Sequence, residues 1–591
     1  MKEELGVQNF LAIWHLRRKQ VLSLVILCVI SLTFSTGSVR AQTPHLAEVN
    51  FVITGRLVDS QGQPISTAKI SLAGTGEENA HDAHDQETAV SSREDGTWLL
   101  SLPSLPSAEI HLKIERPHFK TVTIPFDNNI LPQLEETRSH HVGDLTLERR
   151  ITAGFWAATI IFVGLLLLIA FEKLHSTTAA LAGISAIFIV TFLGQTLSSD
   201  LYIISFDRAL TYINWEVIFL LIAMMIMIAI IESTGIFQWM AFQAYRISRG
   251  RSWILVLMLM GITAVASALL DNFTTMLLMT PISLQIALAL RINPLALIIP
   301  EVLASNVGGI STLIGTPTNI LIGAYADIGF SDFLVHQTVG VLVALIVMGG
   351  YVLFHYRAEW RKTSKDLSPK LYAILEKNAA IDDPDALWKS GLVFVLTLVG
   401  FVVGERYHIV PAVPALIGAT ALLVWLQPDV HEMIRSVDWT TLVFFMALFI
   451  VVGAVQEVGL ISFIADRISH LVGDNLALGI FVMVFGAGTL SLAIANIPLA
   501  ASLLPVADLL TGNITGAGNK ALYYSLSMGA AMGGNGLLIG GEANLVTAGI
   551  VAQTDSPISF KEFMRIGLPV TYLTLTIGYL WLLLHFVIFG S

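Results

Sequence analysis

The chain has 591 residues, of which 54% are hydrophobic and only 13% charged, whereas soluble domains run near about 25% charged. A net charge of −11, with no basic cluster interleaved with aromatics, argues against a nucleic-acid partner. The single cysteine, Cys28, excludes an intrachain disulfide framework and a cysteine-based zinc site.

Arg17, Arg18 and Lys19 precede an apolar run from Val21 to Phe34, followed by Ser35, Gly37 and Val39-Arg40-Ala41. Residues 1–41 therefore read as a signal peptide or anchor helix, and both readings put residue 45 onward outside the cytoplasm. Leu27 is too large for Cys28 to be a lipidation cysteine. Residues 45–148 are polar, with alternating segments such as Val49-Phe51-Ile53, Lys69-Ile70-Ser71-Leu72 and Ile110 to Ile114 separated by turn signals at Asp59–Pro64 and Glu94-Asp95-Gly96. This pattern predicts a small antiparallel β-sandwich. The cluster Glu77, Glu78, His81, Asp82, His84 and Asp85 reads as a solvated loop rather than a zinc site.

Residues 151–591 carry recurrent apolar runs, each about the 20 residues that cross a bilayer as a helix. Candidates lie at 152–172, 177–196, 214–233, 252–270, 276–290, 296–314, 333–356, 388–405, 411–427, 439–456, 476–493, 498–511, 522–540 and 567–588. Several are short or Gly-rich, as re-entrant hairpins would be. The stretch Arg357 to Lys377 holds six Lys and Arg and reads as part of a cytoplasmic linker over 357–387. The predicted fold is an all-α polytopic membrane protein with two inverted-topology repeats and re-entrant hairpins, plus the N-terminal β-sandwich.

The repeats, about 214–356 and 438–588, show in the sequence itself. Asn214-Trp215-Glu216 recurs as Asp438-Trp439-Thr440, Asp271-Asn272-Phe273-Thr274 as Ala495-Asn496-Ile497-Pro498, and Pro281 as Pro505, all at an offset of 224 residues. Gly308-Gly309, Gly315 and Asn319 recur as Gly533-Gly534, Gly540 and Asn544 at 225. Arg246, Arg249 and Arg251 follow the first repeat's opening helix, where the second has only Arg467 against Asp466 and Asp474; Lys561 and Arg565 open the second repeat's last helix, where the first has Asp332. The positive-inside rule then sets the halves facing opposite ways, a transporter signature.

In each half a helix is expected to break at an Asn, Asn272 or Asn496, and a Gly-rich segment to follow as a hairpin, Asn306 to Asn319 and Gly533 to Asn544. Non-helical backbone at membrane depth belongs in protein or beside water. Freed N–H groups at helix N-termini suit an anion; freed carbonyls and Asn amides suit Na⁺. Asp271 is a carboxylate within apolar sequence, costly and functional by default; Glu542 follows, then Glu301, while Glu216 and Glu232 read as interfacial. The candidate ion-binding set is Asp271, Asn272, Thr274, Asn306, Thr316, Asn319, Asn496, Asn535, Glu542 and Asn544, with possible Na⁺ at Asp271 and Asn272 and no other cofactor; Asn272, Thr274, Asn319, Asn496 and Asn544 are expected to converge near the midplane, with Asp271 close enough to bind or sense a cation. No nucleophile–base pair or metal-ligand spacing suggests an enzyme.

Phe171 to His175, Ala244 to Arg251, Leu270 to Thr275, Ala304 to Asn319 and Gly533 to Asn544 together resemble the ion transporter superfamily, in its citrate-transporter-like, P protein and arsenite permease branch, over roughly 170–590. The β-region, through Gly55 to Asp59, Gly62 to Ile65 and Asp95 to Trp98, resembles carboxypeptidase-regulatory-like sandwiches. The first resemblance implies paired hairpins, a homodimer and elevator-like movement. It also brings departures: that branch has G-D-P-P-N where this chain has Gly315-Thr316-Pro317-Thr318-Asn319, and D-N-I-P where it has Ala495-Asn496-Ile497-Pro498, while Glu542 replaces a small residue. The expected function is secondary transport of a small anion or organic carboxylate coupled to Na⁺ or H⁺ in a bacterial inner membrane. The rivals are cation/proton antiport and a membrane sensor using the β-domain, and the sensor lacks a cytoplasmic effector segment.

Overall fold

Two periodicities build two units, Met1–Glu148 and Arg149–Ser591. The structure, a computed structural model, describes residues 51–590 apart from 60–61, 75–88, 103–109, 126–133, 135, 172, 250, 361–375, 378, 382 and 555–556. The signal segment, the acidic and histidine cluster at 77–85 and most of the polar linker lie outside the described residues.

In the first unit, period-2 sequence gives β1 (Phe51–Asp59), β2 (Lys69–Gly74), β3 (Val90–Ser91), β4 (Thr97–Leu102), β5 (Ile110–Glu115), β6 (Val122–Pro125) and β7 (Ser139–Leu147). They form sheets of order β4-β1-β7 and β3-β2-β5-β6. Ile53, Leu57, Trp98 and Leu100 from one sheet share a core with Ile70, Leu112 and Ile114 from the other. Gly96 needs its glycine: its φ is +78°, and a Cβ would lie 2.4 Å from Leu57 O. The sandwich is not wholly antiparallel, as β1 pairs antiparallel with β4 but parallel with β7, Val52 opposite Ser139. A parallel pair needs a long crossover, so alternation alone gave no sign of it.

The second unit opens with α1 (Ala153–Ala170), α2 (Ser176–Gly194), α3 (Phe206–Thr211), α4 (Trp215–Glu232), α5 (Ile236–Ser248), α6 (Ser252–Leu269), α7 (Asn272–Leu290), α8 (Leu295–Gly308), α9 (Pro317–Ala326) and α10 (Phe330–His355). The same order returns as α11 (Pro384–Arg406), α12 (Ala412–Leu426), α13 (Val430–Ser436), α14 (Trp439–Glu457), α15 (Leu460–Val472), α16 (Leu476–Leu490), α17 (Asn496–Asn513), α18 (Ala521–Gly533), α19 (Glu542–Val551) and α20 (Phe560–Ile588). The recurrence of elements thus reaches back beyond Asn214 and Asp438, to α1 and α11. Nine helices among the described residues are long and apolar enough to cross a membrane, so the protein is an integral multi-pass membrane protein.

Equivalent helices meet head to tail. His336, early in α10, lies 2.6 Å from His585, late in α20, and Trp581 Nε1 donates to His336 O at 2.6 Å. Partners are exchanged too: α2 packs on α14, and α12 on α4. Both features follow from two repeats of inverted topology.

Side-chain pairing fixes the path through the core. Thr263 reaches Glu301 and Ser267 reaches Ser305, so α6 and α8 run parallel. Asn272 reaches Asn306 and Ser283 reaches Glu301, so α7 runs antiparallel to α8. α6 and α7 therefore fold back as a hairpin whose tip is Leu270-Asp271. α8 starts beside the end of α10, through Tyr356 OH to Leu295 O, while α9 ends where α10 begins. Together α8 and α9 cover the length of 26-residue α10, about 39 Å at 1.5 Å per residue. The second half repeats this path: a Cβ on Gly533 would meet Gly488, and one on Gly534 would meet Asn496, while Tyr523 reaches Asp508. The sequence-based assignment is reversed: the Asn-bearing segments are the hairpin tips, and the Gly-rich segments break the crossing helices.

Candidate functional site

Each half brings two helix N-termini to the interior, from its hairpin tip and from its broken span. In the first half both are capped: Asp271 Oδ1 accepts from Thr274 N at 2.8 Å and Thr316 Oγ1 from Asn319 N at 3.1 Å. In the second half Ala495 and Gly541 offer no side-chain cap. First-turn N–H groups have no partner within the helix, so the uncapped ends present donors and a positive dipole.

The two breaks are locked in the same way. Asn319 Nδ2 donates to Thr312 O at 2.8 Å, to Ile310 O at 3.1 Å and to Gly309 O at 3.4 Å. Its counterpart Asn544 donates to Gly534 O at 2.8 Å and Leu537 O at 3.1 Å. A Cβ on Gly315 would lie 2.3 Å from Gly309 O, and one on Gly540 2.9 Å from Gly534 O. Glycine lets the strands of each break close, and the Asn amide satisfies carbonyls that the broken helix releases.

A buried amide chain joins the halves. Asn272 Nδ2 donates to Asn306 Oδ1 at 2.8 Å, and Asn306 Nδ2 donates to Asn535 Oδ1 at 2.9 Å and Asn544 Oδ1 at 3.0 Å. The partners around Asn496 orient its amide nitrogen toward Ala530 O at 3.0 Å and Gly540 O at 2.9 Å.

Asn272, Thr316, Pro317, Thr318, Asn496, Ile497 and Glu542 line a cavity of about 10 Å³, room for roughly one water molecule. All seven belong to the first turns or cap of α7, α9, α17 and α19, so four helix N-termini meet there. Glu542 also lines a wider cavity of about 650 Å³, with His175, Thr177, Asp438, Thr441 and Ala495. Asp271 and Asp438 lie within electrostatic reach of Glu542. No Lys or Arg lines either cavity.

Of the ten sequence-derived candidates, Asn272, Thr316, Asn496 and Glu542 line the small cavity. Asn306, Asn319, Asn535 and Asn544 do not: their amides are used in holding the breaks and joining the halves. Thr274 is turned to Asp271, donating from Oγ1 to Oδ2 at 2.7 Å. Sequence reading passed over Thr318 and Ile497, whose signal is only adjacency to the motifs. It also passed over Ser267 and Ser491, which donate to Ser305 O at 2.8 Å and Ala530 O at 2.7 Å and recur at the repeat offset, so extending the self-comparison would have found them. Asp438 served in the sequence only as a repeat marker, yet it caps α14 and faces the wide cavity. Among the described residues no group of three or more His, Cys, Asp or Glu could hold a metal ion.

The chain matches the family described as citrate transporter over residues 166–521, more than half its length. An uncharacterized transporter of Mycobacterium bovis is 36% identical over 431 residues, 72% of this chain and 97% of that protein. The human P protein is 31% identical over 510 residues, 73% of this chain and 60% of that protein. The solved Alcanivorax borkumensis YdaH transporter superposes with a TM-score of 0.47 at 15% identity, covering 73% of this chain and 99% of that one. The family match covers the first repeat and the second as far as residue 521, and the Mycobacterium bovis relative is named a transporter, so this chain belongs to the citrate transporter family.

Proposed function

We propose that the protein is a secondary active transporter for a small anion or organic carboxylate, coupled to Na⁺ or H⁺, working by elevator-like movement of the hairpin core. The observation that carries this reading is the meeting of four helix N-termini on one cavity. Two of those ends already face a carboxylate, Asp271 and Glu542, and these are the places for the coupling cation. Of the other two, the end at Asn496 is uncapped and leaves donors and dipole for the anion, beside the Thr316-capped end of α9. The family's description makes citrate the first substrate to try. In proteoliposomes, uptake of one member of a panel of citrate, dicarboxylates and inorganic anions is expected to rise with an imposed Na⁺ or H⁺ gradient. Anion-independent exchange of Na⁺ for H⁺, with no anion uptake, would instead support cation/proton antiport. Asp438 and Glu542 on cavities without Lys or Arg, with Asp271 within electrostatic reach of Glu542, favour that second reading. A homodimer, an inner-membrane location and an extracytoplasmic β-domain complete the proposal.

A further inference from the structure

Glu301 lies wholly buried in the middle of α8, away from the residues that line either cavity. Its Oε2 accepts from Ser283 Oγ on α7 at 2.8 Å and faces Thr263 Oγ1 on α6 at 3.5 Å. Its Oε1 has no hydrogen-bond partner among the described residues. Of the helices packed on α8, none turns a titratable or charged side chain to it. Asp271 at the α7 cap, Glu542 on α19, Tyr523 and Tyr524 on α18, and Asp332, His336, Tyr351 and His355 on α10 do not act on the carboxyl, and among the described residues the two hydroxyls are the only side chains that do.

The repeat supplies a control. At the offsets that relate the halves, Thr263, Ser283 and Glu301 correspond to Ala487, Ala507 and Leu526, all three apolar and buried. The hairpin-on-helix packing is therefore built once with an apolar triple, and its architecture does not require the polar one. An ionised carboxylate in that place, with one oxygen unpaired and no cation beside it, would be costly by several kcal/mol; a neutral carboxylic acid would not.

We propose that Glu301, with Ser283 and Thr263, forms a proton-binding site inside the α6–α7–α8 layer, separate from the ion cavity at the hairpin tips. Binding adds one proton to the carboxylate; release leaves one negative charge between the hairpin and α8. Asn306, which holds Asn272 at the tip, is five residues further along the same helix, about 7.5 Å of rise. Protonation at Glu301 thus acts on the helix that positions the cavity wall.

The test uses the full chain in liposomes, with infrared difference spectra recorded through a pH titration in the absence of any transported anion. The wild type is expected to show a protonated-carboxyl stretching band at neutral pH that is lost in alkali. Glu301→Gln, isosteric and neutral, should lose that band. Ser283→Ala removes a donor that favours the ionised form, so it should move the titration to higher pH, and it serves if Glu301→Gln fails to fold. An unchanged band in Glu301→Gln, an unshifted titration in Ser283→Ala, or loss of the band on adding Na⁺ at constant pH would each overturn the proposal. Because the readout needs no substrate, an intact band in a protein that moves no anion would count against the proposed function and not against this site.

Discussion

Asn319 and Asn544 illustrate how one residue type serves the site without lining it. Each is fully buried, and each amide feeds the carbonyls of its own break. Asn319→Ala would strand two or three buried carbonyls and leave the Ser527 hydroxyl, which donates to Asn319 Oδ1 at 2.6 Å, with only Gln337 Oε1 at 3.2 Å. Leaving buried polar groups unpaired costs about 1–3 kcal/mol, so the thermal midpoint should fall clearly, and Asn319→Asp should not restore it because a carboxylate cannot donate. Asp271 differs in kind. It caps α7 with both oxygens engaged by Thr274, whereas its repeat partner Ala495 leaves α17 uncapped. Asp271→Asn keeps the volume and removes the charge, and one elementary charge in the membrane field is worth roughly 2.3 kcal/mol per 100 mV. Transport by Asp271→Asn should lose its cation dependence and its response to voltage, read as substrate-induced current across a range of potentials. Ala495→Asp should change ion selectivity while the protein still folds. Unaltered ion dependence in Asp271→Asn would remove that residue from the coupling site.

At the scale of elements, the helices were legible and their path was not. Each of the fourteen apolar runs located one helix among the described residues, and the positions of Asn272, Gly308 and their counterparts marked the hairpin tips and the breaks. What the punctuation could not state is direction. An Asn cap and a Gly-rich break both end a helix, and neither encodes whether the chain returns or continues; that depends on which neighbour offers matching contacts, here α8, with Ser283 and Thr263 meeting one carboxylate from two sides. The same holds for β7, whose parallel pairing with β1 is set by a crossover and not by its own alternation. If α6 and α7 form a hairpin, its two ends emerge on one face. Single cysteines at the exposed positions Arg251 and Arg291, placed in a Cys28→Ser background, should both react with an impermeant maleimide from the side that labels a cysteine at Glu359. Labelling from opposite sides would mean that α6 and α7 together cross the membrane once, as a single span broken at Asn272.

For the whole molecule, the internal repeat carried most of what the sequence could say, because two inverted halves specify an architecture that no single segment does. The positions of the helix interruptions were legible, since both halves carry them at one offset. The division of those positions into wall and scaffold was not, because an Asn in a motif looks the same whether its amide faces a cavity or its own backbone. The charge asymmetry of the repeats further predicts that Ser591 and the β-domain face away from the cytoplasm. A fluorescent, phosphatase-inactive fusion at Ser591 would contradict that orientation. The β-domain then poses the remaining question of dependence. Its core, built from residues such as Leu57, Trp98, Ile70 and Ile114, is distinct from the core of the helical unit, and the chain divides into compact units at Glu148 and Arg149. Among the described residues, all those lining the two cavities belong to the helical unit. A domain with its own core can fold without its neighbour, and one that supplies no cavity-lining group is not expected to bind the transported ion. Deleting residues 45–148 while keeping residues 1–41 should therefore leave a protein that inserts, is stable in detergent and transports at a rate within about twofold of the full chain, since no term in transition-state binding is removed. A deletion protein that inserts and remains monodisperse but transports tenfold more slowly would show that the domain takes part in substrate capture or in assembly of the transporter.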